Sequence, residues 1–162
     1  AFCNCRSVLE GLSPVYKPAD GWVAEPAANG YRLPTEAEWF RAAAWDPEGK
    51  TYRAYGTGGD TINDKEVNFL NSGDAAEHAR IPVLSVYAPL PRSPHGLRHA
   101  SGNVWEWCHG FYADNDQDPD EDPHVVRGGS WSNSKEEVQT SSRSKFKPGT
   151  ALNTVGFRIV FP

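Results

Sequence analysis

Long uninterrupted helices and strands are ruled out in this chain, because fifteen glycines and thirteen prolines punctuate its 162 residues. Glycine weakens regular elements and proline breaks them, so the fold must be made of loops and short pieces. The apolar material that joins those pieces is heavily aromatic. Six Trp, six Tyr and seven Phe fall within a hydrophobic fraction of 38%. Each aromatic ring buries a large area, so a core can form without aliphatic-rich helices. The length suits one domain over residues 1–162. The class read from these facts is loop-rich α+β, and a helical bundle is excluded. No internal repeat or low-complexity linker divides the chain.

The formal net charge of −5 argues against a nucleic-acid partner, which requires clustered Lys and Arg. No apolar run approaches the roughly 18 residues that a membrane-spanning helix needs. The chain contains no Met and opens on Ala1, so Ala1 is not a translational start. An upstream part is expected, and any targeting signal belongs there. Cys3, Cys5 and Cys108 cannot all pair within the chain, and Cys3-Asn4-Cys5 is not a C-x-x-C redox or zinc spacing. They are read as free or buried thiols, with a bridge from Cys3 or Cys5 to Cys108 left open.

Residues 1–10 place Phe2, Cys5, Val8 and Leu9 on one helical face, with Gly11 as the stop. A short hairpin is expected around Tyr16 and Trp22. The clearest local signal is Pro34-Thr35-Glu36-Ala37-Glu38, a capping box in which Thr35 and Glu38 satisfy each other's amides. It predicts a helix from there to about Trp45. Residues 46–100 read as loops, and 103–108, 125–131 and 155–161 as strands. Alternation assigns Val104 and Glu106 to one face and Asn103, Trp105 and Trp107 to the other. Trp131 is expected to fill the core. The acidic run Asp114–Asp118 begins like a calcium-binding EF-hand, but Pro119 and Val125 occupy positions where Gly and Glu are required. It reads as a solvated loop.

Four segments occur in an order and spacing that resemble the formylglycine-generating-enzyme, or sulfatase-modifying-factor, family. They are Tyr31-Arg32-Leu33-Pro34-Thr35-Glu36-Ala37-Glu38-Trp39, Ser101-Gly102-Asn103-Val104-Trp105-Glu106-Trp107, Arg127-Gly128-Gly129-Ser130-Trp131 and Gly156-Phe157-Arg158. The opening Ala1-Phe2-Cys3-Asn4 is similar to the helix before the first motif, so the chain resembles the C-terminal part of such a domain. The resemblance implies a variant of the C-type-lectin fold with a small antiparallel sheet and long loops, and it favours an extracytoplasmic setting.

Active members of that family use a cysteine pair that holds copper, shortly after the RGGS segment. The matching positions here are Asn133 and Val138, and residues 132–145 contain neither Cys nor His. Soft copper needs sulfur ligands, so no copper and no formylglycine synthesis are expected. The leading expectation is a non-catalytic binding or scaffold domain for a protein or small-molecule ligand. Its candidate ligand residues are Ser130, Ser132, Asn133, Lys135, Gln139, Arg143 and Phe146. The alternatives are a non-haem-iron or copper oxidoreductase with ligands from the missing part, and a subunit of a surface assembly whose partner chain completes the domain. The resemblance also implies two structural calcium sites. One would draw on Gly102, Val104 and Glu106, with His99 at a position the family fills with Asn or Asp. The other would draw on Asn68, Phe69 and Asp74. The five histidines (His78, His95, His99, His109, His124) form no ligand pattern on one element, and Ser130 has no His/Asp partners in view.

Overall fold

The segment around Trp105 forms the central strand of the molecule, and the other motifs are arranged around it. In the computed structural model, which describes residues 1–17, 23–25, 27–72, 82–112 and 123–161, the elements follow in order. They are α1 (Phe2–Leu9), β1 (Tyr16–Lys17), β2 (Val23–Ala24), α2 (Glu36–Ala44), β3 (Trp45–Asp46), β4 (Thr51–Tyr52), β5 (Trp105–Phe111), β6 (His124–Arg127), β7 (Arg143–Phe146) and β8 (Val155–Phe157). Their shortness and the loops between them give the expected α+β architecture.

One four-stranded sheet runs β7-β6-β5-β8, and β1-β2 and β3-β4 form two separate pairs. β5 to β6 and β6 to β7 are antiparallel, but β8 joins β5 in parallel, so the sheet is mixed rather than wholly antiparallel. Register puts Glu106 opposite Arg127 on one side and Gly156 on the other. The predicted hairpin is present as far as it is described, with Tyr16 opposite Ala24; Trp22 lies outside the described residues.

α2 starts as its sequence dictates. The Thr35 hydroxyl accepts from the Glu38 amide at 3.2 Å, and the Glu38 carboxylate accepts from the Thr35 amide at 2.8 Å. The residues before the cap fasten the helix to the sheet. The Pro34 carbonyl accepts from the His109 amide at 2.7 Å, and Arg32 exchanges two backbone bonds with Val160. α2 thereby lies on β5 and β6. It drives Trp39 into a core of Ala43, Ala100, Cys108 and Val125. A second cluster, Tyr55, Ile62, Val67 and Val138, packs under the loops.

Two segments differ from the sequence reading. Asn103 is not a strand residue: its backbone is left-handed (φ 68°), and β5 begins at Trp105. Trp131 is half-buried rather than in the core, and β6 ends at Arg127. The apolar stripe of α1 is present on one face, as expected, and looks outward. Cys3 and Ser7 are buried, while Phe2, Val8 and Leu9 are 57%, 62% and 76% exposed. A small residue is required on the inner side, because Gly30 is pressed against Ser7, whose hydroxyl accepts from the Tyr31 amide and donates to the Cys3 carbonyl.

Candidate functional site

The four sequence motifs converge on one buried junction. Glu106, 5% exposed, accepts from the Trp39 indole at 2.6 Å and is gripped at both oxygens by Arg158, at 2.5 and 2.6 Å. Arg127, 4% exposed, lies over the rings of Trp39 and Phe40 at 5.5 and 5.4 Å. Its terminal nitrogens donate to the carbonyls of Thr140 and Ser141 and to Glu36. Glu36 is held in turn by Arg143 at 2.5 and 2.8 Å. Burial pulls the Arg127 guanidinium below its ordinary pKa, opposed by Glu36. Buried charges of this kind persist only when paired and hydrogen-bonded, and these are. The arrangement holds helix, sheet and chain end together, and among the described residues only the Arg127 Nε is buried there without a hydrogen-bond partner.

The segment after Arg127 is where reactive groups would stand. Gly129 has φ 74°, and a Cβ there would meet the Val138 side chain at 2.7 Å, so only glycine fits. Ser130 is fully buried, and its hydroxyl and amide both donate to the Asn133 side-chain oxygen, at 2.6 and 3.0 Å. The Asn133 carbonyl accepts from the Leu70 amide at 2.8 Å. Asn133 is thus the clasp of a closed turn, and Val138 is a 0%-exposed member of the second core cluster. Neither supplies a sulfur ligand, so these residues do not fit copper. Cys108 is a single thiol enclosed in the core with Trp39, Ala43, Ala100 and Val125, and burial first, and Glu106 second, push it up to about 12.

The seven candidate ligand residues do not form one surface. Ser130 and Asn133 close the turn on each other, and Ser130 also meets the Ser132 hydroxyl at 3.0 Å. Ser132 is exposed, and Lys135 and Gln139 flank a 3-10 turn at Glu136–Val138. Arg143 and Phe146 are one and four places along β7 and fall on opposite faces of the sheet, Arg143 against Glu36 and Phe146 against Trp107 at 6.1 Å.

Of the implied calcium ligands, Glu106 is committed to Arg158 and Trp39, which leaves it unsuited to a cation. The Phe69 carbonyl accepts from both the amide and the hydroxyl of Ser72, at 3.0 and 2.7 Å. Asn68 is buried and donates to the Pro82 carbonyl at 2.8 Å and to Asn103 at 3.1 Å. The Gly102 backbone abuts Asn68, and Val104 packs on Gly156. Asp74, His78 and the Asp114–Asp118 run lie outside the described residues. Among the described residues, no group of three or more His, Cys, Asp or Glu is placed to hold a metal. His99 lines a small pocket with Glu66 and Ser101, and burial lowers its pKa.

Sequence reasoning missed the part played by Asn103. Its amide donates to the Asn68 carbonyl and its carbonyl accepts from Trp131. Its side-chain oxygen accepts from Leu84 and Asn68. The available signal was its position after Gly102, since Asn tolerates the left-handed region better than most residues.

The sequence matches the family profile of the sulfatase-modifying factor enzyme 1-like domain over residues 1–161. The chain belongs to this family. It is 33% identical over 141 residues to the serine/threonine-protein kinase pkn1 of Chlamydia caviae, covering 80% of this chain and 21% of that protein. It is likewise 33% identical over 141 residues to the inactive C-alpha-formylglycine-generating enzyme 2 of Bos taurus, covering 82% of this chain and 44% of that protein. The crystal structure of CarF superposes with a TM-score of 0.76 at 30% identity, over 99% of this chain and 63% of that one. The sulfatase-modifying-factor-type chain therefore spans about a fifth of the length of the first of these relatives (21%) and under half of the second (44%).

Proposed function

We propose that this domain is a non-catalytic binding or scaffold module of the formylglycine-generating-enzyme-like family, and not a formylglycine synthase. One observation carries the reading. Where the resemblance places a copper-binding thiol pair, the chain has the clasp of a closed turn (Asn133) and a fully buried core valine (Val138). Both positions are now spent on folding. The bovine relative, called inactive by name, supports the same conclusion.

Function then belongs to loops carried on a stiff frame. The reading puts contacts with a protein or small-molecule ligand on the outer side of the Ser132–Gln139 stretch, where Ser132, Lys135 and Gln139 reach the surface. Calcium enters this reading only as the structural ion that the resemblance implies near Asn68, Phe69 and Asp74, where the Phe69 carbonyl would have to exchange its Ser72 donors for the ion.

The test is elemental analysis of the purified protein before and after chelation, with an oxidation assay on a cysteine-containing peptide that active family members convert. Calcium or no metal, with the peptide cysteine unchanged, is the expected result. Stoichiometric copper or iron, or an aldehyde product, overturns the reading.

A further inference from the structure

Residues 82–88 are attached to the protein by side chains alone. Among the described residues, no backbone–backbone hydrogen bond joins this segment to another part of the chain, and none of its residues belongs to either buried cluster. Asn68 donates to the Pro82 carbonyl at 2.8 Å. Asn103 clasps Leu84 twice, accepting from its amide at 2.8 Å and donating to its carbonyl at 3.3 Å. Further along, Arg98 donates to the Tyr87 and Ala88 carbonyls, each at 2.8 Å, and His99 Nε2 lies 3.0 Å from the Ser85 carbonyl. Both anchors are firm: Asn68 and Asn103 are buried, and the Arg98 carbonyl is held by Arg158 at 3.0 Å. The segment itself carries Val86 and Tyr87, 65% and 85% exposed. A stretch with few buried apolar contacts and exposed backbone belongs to the low-stability end of local opening.

Asn103 works in two directions. While its side chain holds Leu84, its carbonyl accepts from the Trp131 amide at 2.9 Å and its amide donates to the Asn68 carbonyl at 2.7 Å. Its left-handed backbone lies in a small allowed region, so the peptide units on either side have little freedom to turn independently. A rotation that frees Leu84 therefore also moves the carbonyl that holds Trp131. We propose that residues 82–88 form a strap that opens and closes as one unit, and that Asn103 is the positioning residue that couples its closure to the turn at Ser130–Asn133. A contact made at Val86 or Tyr87 is thereby felt at the turn. The device acts in the free protein, so it stands or falls separately from the binding role proposed above.

The experiment takes the whole chain without ligand and measures chymotrypsin cleavage after Tyr87 under native conditions, together with amide exchange at Leu84 and Trp131 by NMR. Cleavage then tracks the population of the open strap. The Arg98 side chain bonds to the strap and to neither Asn103 nor the turn. Arg98→Ala should nevertheless raise cleavage and the exchange of both amides by roughly tenfold, the scale of two lost hydrogen bonds. Asn103→Gly keeps the left-handed backbone and drops the clasp. It should raise all three rates, and adding Arg98→Ala to it should leave Trp131 exchange where it was. The amides of α2 should stay protected throughout. Faster cleavage in Arg98→Ala without faster exchange at Leu84 overturns the single unit, and unchanged exchange at Trp131 overturns the coupling. Should Asn103→Gly lose α2 protection, Arg98→Ala decides both points by itself.

Discussion

The junction at Glu106 and the segment Ser130–Val138 lie next to each other in the fold and follow opposite rules. In the junction, polar and charged side chains are buried and each finds a specific partner, from Trp39 and Arg158 on Glu106 to Thr140 and Glu36 on Arg127. In the segment, the positions that could carry reactive chemistry are filled by a side-chain amide closing a turn and by a valine in the core. The first is a frame whose parts cannot be exchanged singly, because each leaves a buried charge behind. The second holds residues that stabilise locally, Asn133 by closing a turn and Val138 inside a core cluster. The two regions are therefore built by different rules on one fold.

The largest expected effect breaks the frame. Glu106→Ala strands the Arg158 and Trp39 donors, and Arg158→Ala strands a carboxylate that is 93% enclosed, its side chain being 7% exposed. Removing one member of a buried pair costs about 3–5 kcal/mol. Against a total stability of roughly 5–15 kcal/mol, urea midpoints should fall sharply or folding should fail. The double variant should cost much less than the two single changes summed, which a double-mutant cycle reads directly. Additive losses would mean that the junction is a set of independent contacts.

A smaller effect probes that segment. Val138→Ala removes two buried methyl groups from the cluster with Tyr55, Ile62 and Val67, and should cost about 2 kcal/mol. Val138→Cys keeps one γ atom in place of two methyl groups and should cost less than the alanine change, about 1 kcal/mol. If equilibrium unfolding shows V138A to be neutral, Val138 is not a core residue in solution and the contrast with the junction weakens.

These two regions were not equally legible in the sequence. The frame was visible because its residues are chemically distinctive: a capping box, paired tryptophans around Glu106 and the Arg-Gly-Gly turn. Their order placed α2, β5, β6 and β8 to within a few residues. What holds them together is not legible, because the Glu106–Arg158 pair spans a separation that no local pattern encodes, and the family resemblance implies a calcium ligand at Glu106 instead. β7 was missed altogether. Its Arg143-Ser144-Lys145-Phe146 run is half charged, as suits an edge strand, and resembles a surface loop. Val138 gave only one apolar letter among Glu, Gln and Thr, and its burial depends on loops distant in sequence.

A third prediction sharpens the comparison from the helix that feeds the junction. Thr35→Ala removes the hydroxyl that caps α2 but leaves Trp39 and Glu106 in place. A lost cap costs about 1 kcal/mol, or about 2–4 °C in a domain of this size. A calorimetric shift as large as that of an E106A variant would move the cap into the buried frame.

The smallest effect is set by pH. Bidentate hydrogen bonding from Arg32, with further bonds from Thr35, holds the Glu38 carboxyl down to about 2. Its unfolded value is about 4.3, so the folded state favours the ionised form. A depressed carboxyl contributes stability that is fully present above the unfolded value and is lost as pH falls through the folded one. Glu38→Gln should therefore melt below the parent at neutral pH, and the gap should narrow from about pH 4.5 and close near pH 2. The Glu38 side chain is 45% exposed, so solvent screens the pair and the gap should be only a degree or two. Added salt should shrink it further, because a surface pair is screened where the Glu106–Arg158 pair is not. A gap that persists undiminished at pH 2 would show that Glu38 acts through an uncharged role that glutamine does not reproduce, and not through its charge.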